Sequence, residues 1–351
     1  MTSKLYRLGS CSALALVIAG VSAPALAAGT TAGTSILNTA TVDYQVGGVA
    51  QPQQSASDTF VVDRRISLTV AEDGSSTTVV VPGQTNAVTS FLLTNTSNAV
   101  LDFALTATQT VGGTAAHGGT DTFNLSTMTI YRDVDNSGTF NAGDTVVTYI
   151  DELAADATVR LFVVGNVPSG LATGAIANVR LTATGREGGA AGTQGAALTQ
   201  SATQTNTVMD TVFGDTAGVA DGNRDAAHSD EDDFTVSTAT LTVTKTSTVV
   251  SDPVNGTTAP RLIPGAVVQY CIAVQNAAGG ASASSVLISD VLPANLTFSA
   301  GSIRLDGTLT GSTCNADGTA GGTFTGGTVS GTLSTIAPGT GRTLVFRATV
   351  N

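Results

Sequence analysis

With 351 residues, 42% of them AVILMFWYC and none of them tryptophan, the chain is long enough for two or three domains with cores of Val, Ile, Leu and Ala. Charged residues make up only 11%, and setting aside Lys4 and Arg7 leaves 12 basic against 26 acidic residues, a net charge of −14. That balance excludes the clustered Lys and Arg that nucleic acid or an anionic membrane face requires. The abundance of Thr, Val and Gly favours strands and turns over helices.

Lys4 and Arg7 precede a short apolar run at 13–21, and Pro24-Ala25-Leu26-Ala27 ends in a small-x-small pattern. Residues 1–27 therefore read as a signal peptide removed on export. The run is shorter than the roughly 20 apolar residues of a membrane helix, and no later run approaches that length. The expectation is a secreted chain with no transmembrane anchor after cleavage, residing in the periplasm, at the cell surface or outside the cell.

Residues 39–46 alternate, Gly47-Gly48 permits a reversal, and 59–62 return, the pattern of a hairpin. Asp63-Arg64-Arg65 leads into ISLTV at 66–70. After the turn former Pro82-Gly83 comes a strand with Phe91 and Leu93 facing inward, ending near Asn95. Further strands are expected at 128–132, 145–150, 159–164 and 177–183, with one short helical turn at 151–157. The Gly-rich stretch 185–195 reads as a mobile loop. Residues 210–233 carry Asp210, Asp215, Asp221, Asp225, Asp230, Glu231, Asp232 and Asp233 and read as a solvated acidic loop in preference to a second cation site. His117 and His228 read as solvated loop histidines.

Residues 262–296 show the clearest pattern. Pro264-Gly265 starts a turn, then Val268, Tyr270, Ile272 and Val274 fall on one face of a strand and Gln269, Cys271, Ala273 and Gln275 on the other. Val286, Ile288, Val291 and Leu292 form the next strand, stopped by Pro293. Pro264, Gly265, Tyr270, Ile272, Val274, Asn276, Asp290, Leu292, Pro293 and Leu296 resemble the signature of the bacterial repeat family called domain of unknown function 11. The resemblance is close over the C-terminal third and looser upstream. It implies Ig-like modules of secreted and surface proteins, a family without assigned catalytic residues.

An internal repeat supports two modules. Asp58-Thr59-Phe60-Val61-Val62 followed by ISLTV matches Asp233-Phe234-Thr235-Val236 followed by Thr240-Leu241-Thr242-Val243. Pro82-Gly83 then corresponds to Pro264-Gly265, Asn95 to Asn276, Phe91 to Ile272 and Leu93 to Val274. The expected fold is all-β: after the cleaved signal peptide, two tandem Ig-like β-sandwich domains at 28–238 and 239–351, joined by a strand near 235–243.

No HExxH, GxSxG, Walker or GxGxxG motif is present. The chain reads as non-enzymatic, although a glycosidase-type carboxylate pair distant in sequence stays open. Cys271 and Cys314, without Cys-x-x-Cys spacing in an exported chain, read as one disulfide in preference to buried thiols or a redox pair. The bond would staple the Gly/Thr-rich stretch 311–327 across the outer face of the sheet, contributing about 4 kcal/mol by the chain-entropy model. Residues 133–144, DVDNSGTFNAGD, carry calcium-loop spacing. Asp133, Asp135, Ser137 and Asp144 would give side-chain oxygens, Thr139 its carbonyl, and Asn141 a direct or water-bridged ligand, on a β-hairpin tip and not between helices. The expected function is an exported, non-catalytic structural or adhesive cell-surface protein with envelope or extracellular protein or glycan partners. The alternative is a calcium-assisted glycan- or protein-recognition module.

Overall fold

The structure, a computed structural model, describes residues 29–109, 112–311 and 313–351; the expected signal peptide at 1–27 lies outside them. The chain is all-β, and among the described residues every regular element is a strand. No helix there is long and apolar enough to cross a membrane.

The chain opens with a ribbon. β1 (Ser35–Val42) and β4 (Gln54–Val61) pair antiparallel along their full length, tipped by β2 (Gln45–Val46) and β3 (Val49–Ala50) across Gly47-Gly48. Both glycines have positive φ, as this tight reversal demands. Almost every ribbon residue is exposed on both faces.

A sandwich follows. Its strands are β5 (Arg64–Ile66), β6 (Leu68–Glu72), β7 (Thr78–Val80), β8 (Ala87–Asn95), β9 (Leu101–Gln109), β10 (Ser126–Arg132), β11 (Thr145–Val146), β12 (Tyr149–Leu153), β13 (Thr158–Asn166), β14 (Ile176–Glu187), β15 (Thr211–Phe213) and β16 (Ala227–Val236). One sheet runs β11-β10-β13-β8-β6, the other β12-β9-β14-β16-β7, and β15 pairs with β5. Alternation along β8 puts Phe91 and Leu93 inside with Leu68, Val70, Phe103, Leu181 and Phe234.

The second body comprises β17 (Leu241–Ser251), β18 (Val267–Asn276), β19 (Val286–Val291), β20 (Leu296–Phe298), β21 (Arg304–Gly307), β22 (Leu309–Thr310), β23 (Thr313–Cys314), β24 (Thr319–Ala320), β25 (Thr323–Thr325), β26 (Thr328–Leu333) and β27 (Gly341–Val350). Its larger sheet runs β17-β18-β27-β21-β24, its smaller one β19-β26-β25. Its core, built on Ile272, Val274, Ile288, Leu333, Leu344 and Phe346, shares no residue with the first.

The two frames superpose in hydrogen-bond logic. Leu68 lies opposite Asn95 and Val70 opposite Leu93, as Leu241 lies opposite Asn276 and Val243 opposite Val274. The buried Asn95 amide donates to Ala99 O and Leu153 O, and the buried Asn276 amide to Ala281 O and Ile336 O. Each thereby satisfies carbonyls where a strand turns into its loop, which is why an asparagine sits there. Val81–Gln84 and Ile263–Ala266 close the same turn, with Gly83 and Gly265 at positive φ.

The sequence reading needs correction in several places. Residues 151–153 finish β12 and no helical turn follows. The stretch 185–195 begins as β14, and its remainder is pinned: Asp102 accepts from Gly195 N, Asp151 from Gly192 N, and Glu152 from Gly189 N and Ala190 N. Residues 210–233 are not a solvated loop. They contain β15 and most of β16, and Asp210, Asp215, Asp232 and Asp233 are buried because their carboxylates accept backbone N–H groups or face His117. On β18, Cys271 and Ala273 lie on the outer face as expected, and both are buried there beneath the chain that the disulfide ties down.

Candidate cation loop and carboxylate clusters

The loop 133–144 joins β10 to β11 and is folded by its own acids. Asp133 accepts from Ser137 N and Gly138 N, Asp135 from Ser137 N, and Asp144 from Asn141 N. Gly138 has φ +73°, the sharp turn that the motif requires. Carboxylate oxygens of Asp133, Asp135 and Asp144 come within 4.8 Å of one another. Asp135 Oδ2, Ser137 Oγ and Thr139 O converge on the Asn141 amide nitrogen at 3.2, 3.0 and 3.2 Å. Hydrogen bonds from Ser137 hold the Asp135 carboxyl below its ordinary range.

All six residues singled out in the sequence thus meet in one loop. The oxygens of Asp133, Asp135, Ser137, Thr139 and Asp144 suit a hard cation, while Asn141 turns its amide nitrogen towards them and its Oδ1 to Gly143 N. Against it stands Arg160, whose Nη1 lies 3.5 Å from Asp133 Oδ2 while its Nε holds Asp73.

A second cluster escaped the sequence reading. His117 is not a solvated loop residue: its Nε2 lies 3.2 Å from Glu72 Oε2, and its Nδ1 lies 3.4 Å from Asp233 Oδ1 and 3.9 Å from Asp232 Oδ1. The loop is drawn down by its backbone, with His117 N donating to Asp233 Oδ2 and Ala116 N to Asn178 Oδ1. Burial pushes the Asp232 carboxyl up to about 7, and it raises Glu72 as well. Glu72, His117 and Asp232 can share a proton, or hold a metal ion through one nitrogen and two carboxylates. Residues 230–233 are all acidic, so no alternation in the sequence marked this strand.

His228 is likewise structural, on β16. Val70 N donates to its Nδ1 and Glu72 N to Asp230 Oδ2, so side chains of one sheet seal the outer edge of β6 in the other. A third group, Asp102, Asp151 and Glu152, is committed to the Gly-rich loop described above.

Cys271 and Cys314 are bonded, with Cα atoms 6.1 Å apart. The bond brings β23 onto the outer face of β18, as the staple reading expected. Another turn, at 252–261, is organised by Asp252. Hydrogen bonds from Asn255, and further ones from Arg261 N and Val254 N, lower that carboxyl to about 2.

No family model and no curated protein matches the chain. Among solved structures it is similar to the full-length major pilin SpaD from Corynebacterium diphtheriae, at 11% identity and TM-score 0.22, covering 82% of this chain and 56% of that one. It is similar also to the T6 backbone pilin of serotype M6 Streptococcus pyogenes, at 11% identity and TM-score 0.22, covering 81% of this chain and 54% of that one. The chain therefore spans little more than half of either pilin. Likeness at that level does not bear on function, and the fold class stands on the strands themselves.

Proposed function

We propose that this chain is an exported, non-catalytic structural or adhesive protein of the bacterial cell surface, built from two Ig-like modules of the kind its repeat signature resembles. The observation that carries the reading is the Cys271–Cys314 bond. A disulfide closing 43 residues inside one module persists in an oxidising compartment and is rare in the cytosol. The carboxylates support it too, since most tie loops to strands through backbone N–H groups. Fractionation of the producing cell, with mass analysis of unreduced protein, tests the reading. Recovery from envelope or medium with both thiols oxidised is expected; a cytosolic protein with two free thiols would overturn it.

One observation favours a second reading, calcium-assisted recognition of glycan or protein: the oxygen donors of Asp133, Asp135, Ser137, Thr139, Asn141 and Asp144 in one loop. Binding of the purified chain to cell-wall glycans, with and without chelator, separates the two. Chelator-sensitive binding supports recognition, and its absence leaves the structural reading alone.

A further inference from the structure

The two sandwiches differ in how the edge strands β6 and β17 are covered. In the first, β9 is flanked by β12 on one edge and β14 on the other, with β16 beyond, and these two added strands cover β6. In the second, β19 takes the place of β9 and β26 that of β12, as the matched partners of Asn95 and Asn276 show. Among the described residues, nothing pairs with the other edge of β19. The consequence is measurable. Leu68 and Val70 are 1% and 2% exposed, whereas their equivalents Leu241 and Val243 are 40% and 62% exposed, although all four face inward. A groove of about 450 Å³ runs between β17 and β19, its apolar lining including Leu241, Val243, Ile272 and Ile288, and the Lys245–Asp290 ion pair bridges the two strands at its β19 side.

We propose that this groove receives the β1–β4 ribbon of a second copy of the chain, which adds to the free edge of β19 and takes the places of β14 and β16. Four observations select that occupant. Two antiparallel strands are missing, and the ribbon is two antiparallel strands of eight residues against the six of β19. The ribbon has a mainly apolar face for the groove, since its register aligns Ile36, Ala40, Val42, Ala56 and Phe60 on one side, interrupted by Asn38, Gln54 and Asp58. Val42 and Phe60 are exposed there, and among the described residues no sheet packs on either side. The ribbon is rooted at the Asn98 end of the first sandwich, through Ala32 N to Asn98 O and Asn98 Nδ2 to Thr30 O, whereas the chain leaves for the second sandwich at Val236, beside Val80 and Ala175, at the other end. Last, residues 28–238 hold 22 acidic and 7 basic residues and residues 239–351 hold 4 and 5, so head-to-tail contact sets a body of charge −15 against one of +1. Strand addition supplies main-chain hydrogen bonds together with pockets for alternate side chains. A donor on the first module and an acceptor on the second make the contact heterologous, which propagates into a chain of copies. The inference rests on the groove and the ribbon, and stands apart from export and from calcium.

The test uses the oxidised chain without residues 1–27 and two variants. Val243→Glu blocks the groove at an exposed position; replacement of residues 38–58 by Gly-Gly removes the ribbon but keeps its anchors. Thermal unfolding confirms that both fold. By sedimentation, wild type is expected to grow in mass with concentration, and each variant alone to remain monomeric. Mixed, they should give a one-to-one heterodimer and nothing larger, because one retains the ribbon and the other the groove. A monomeric wild type, a Val243→Glu variant that assembles like wild type, or a mixture that stays monomeric would each overturn the proposal.

Discussion

The first sandwich and the second share one frame and differ in closure. Both enter the strand beside the edge strand through a Pro-Gly turn, both cap that strand with a buried asparagine, and both aim Leu and Val from the edge strand at the core. In the first, β14 and β16 cover that edge strand, and His228 and Asp230 seal it. In the second, the place is open, and a disulfide ties down the opposite face. Inward alternation along a strand states which side is apolar. Burial follows only when another strand arrives.

The largest effect should come from the tie that only the second sandwich has. Cys271→Ser with Cys314→Ser is expected to destabilise that module by up to about 4 kcal/mol while the first keeps its stability. Hydrogen exchange, read separately over β8 and β18, measures both. Equal losses in the two would mean that they unfold as one unit.

The next effect belongs to the first sandwich alone. Unfolded, Asp232 titrates near 3.8; folded, it titrates near 7 because it is buried. Between those values the folded chain holds a proton that the unfolded chain has released, so stability falls as pH rises from about 4 to about 7 and levels above. The drop is on the order of 4 kcal/mol at most. Asp232→Asn should flatten that slope and be more stable than wild type at pH 8. An unchanged slope in the variant would assign the dependence to Glu72 or to another group facing His117.

Calcium should act more weakly, again on the first sandwich. With extracellular-type affinities of 10⁻⁴–10⁻³ M, about 10 mM Ca²⁺ would add roughly 1.4–2.7 kcal/mol. Asp133→Ala with Asp135→Ala should abolish that gain. The absence of any shift in wild type would mean that the loop is held by its own hydrogen bonds and by Arg160.

Much of this was legible in the sequence, for a physical reason. Alternation at 268–274, the glycines after Pro82 and Pro264, the equivalence of Asn95 with Asn276, and the spacing at 133–144 are local rules that act within a few residues. The Cys271–Cys314 bond was legible because only two cysteines lie outside residues 1–27. What stayed hidden depends on distant partners. Asp215 looks like solvated charge until Asp225 N and Ala226 N are found on its carboxylate. His117 looks like a loop residue until Asp233 draws its backbone in. Leu241 and Val243 share the alternation of Leu68 and Val70, and alternation carries no record of the missing cover.

The unequal closure is tested most directly by the same substitution at the two equivalent positions. In the ribbon-shortened background, hydrogen exchange would report the opening free energy of each sandwich for Leu68→Ala and for Leu241→Ala. Truncating a sealed leucine is expected to cost the first sandwich about 2–5 kcal/mol, and truncating its half-exposed counterpart less than about 1 kcal/mol in the second. Losses of equal size would contradict the account, because they would show that Leu241 is already covered within its own chain.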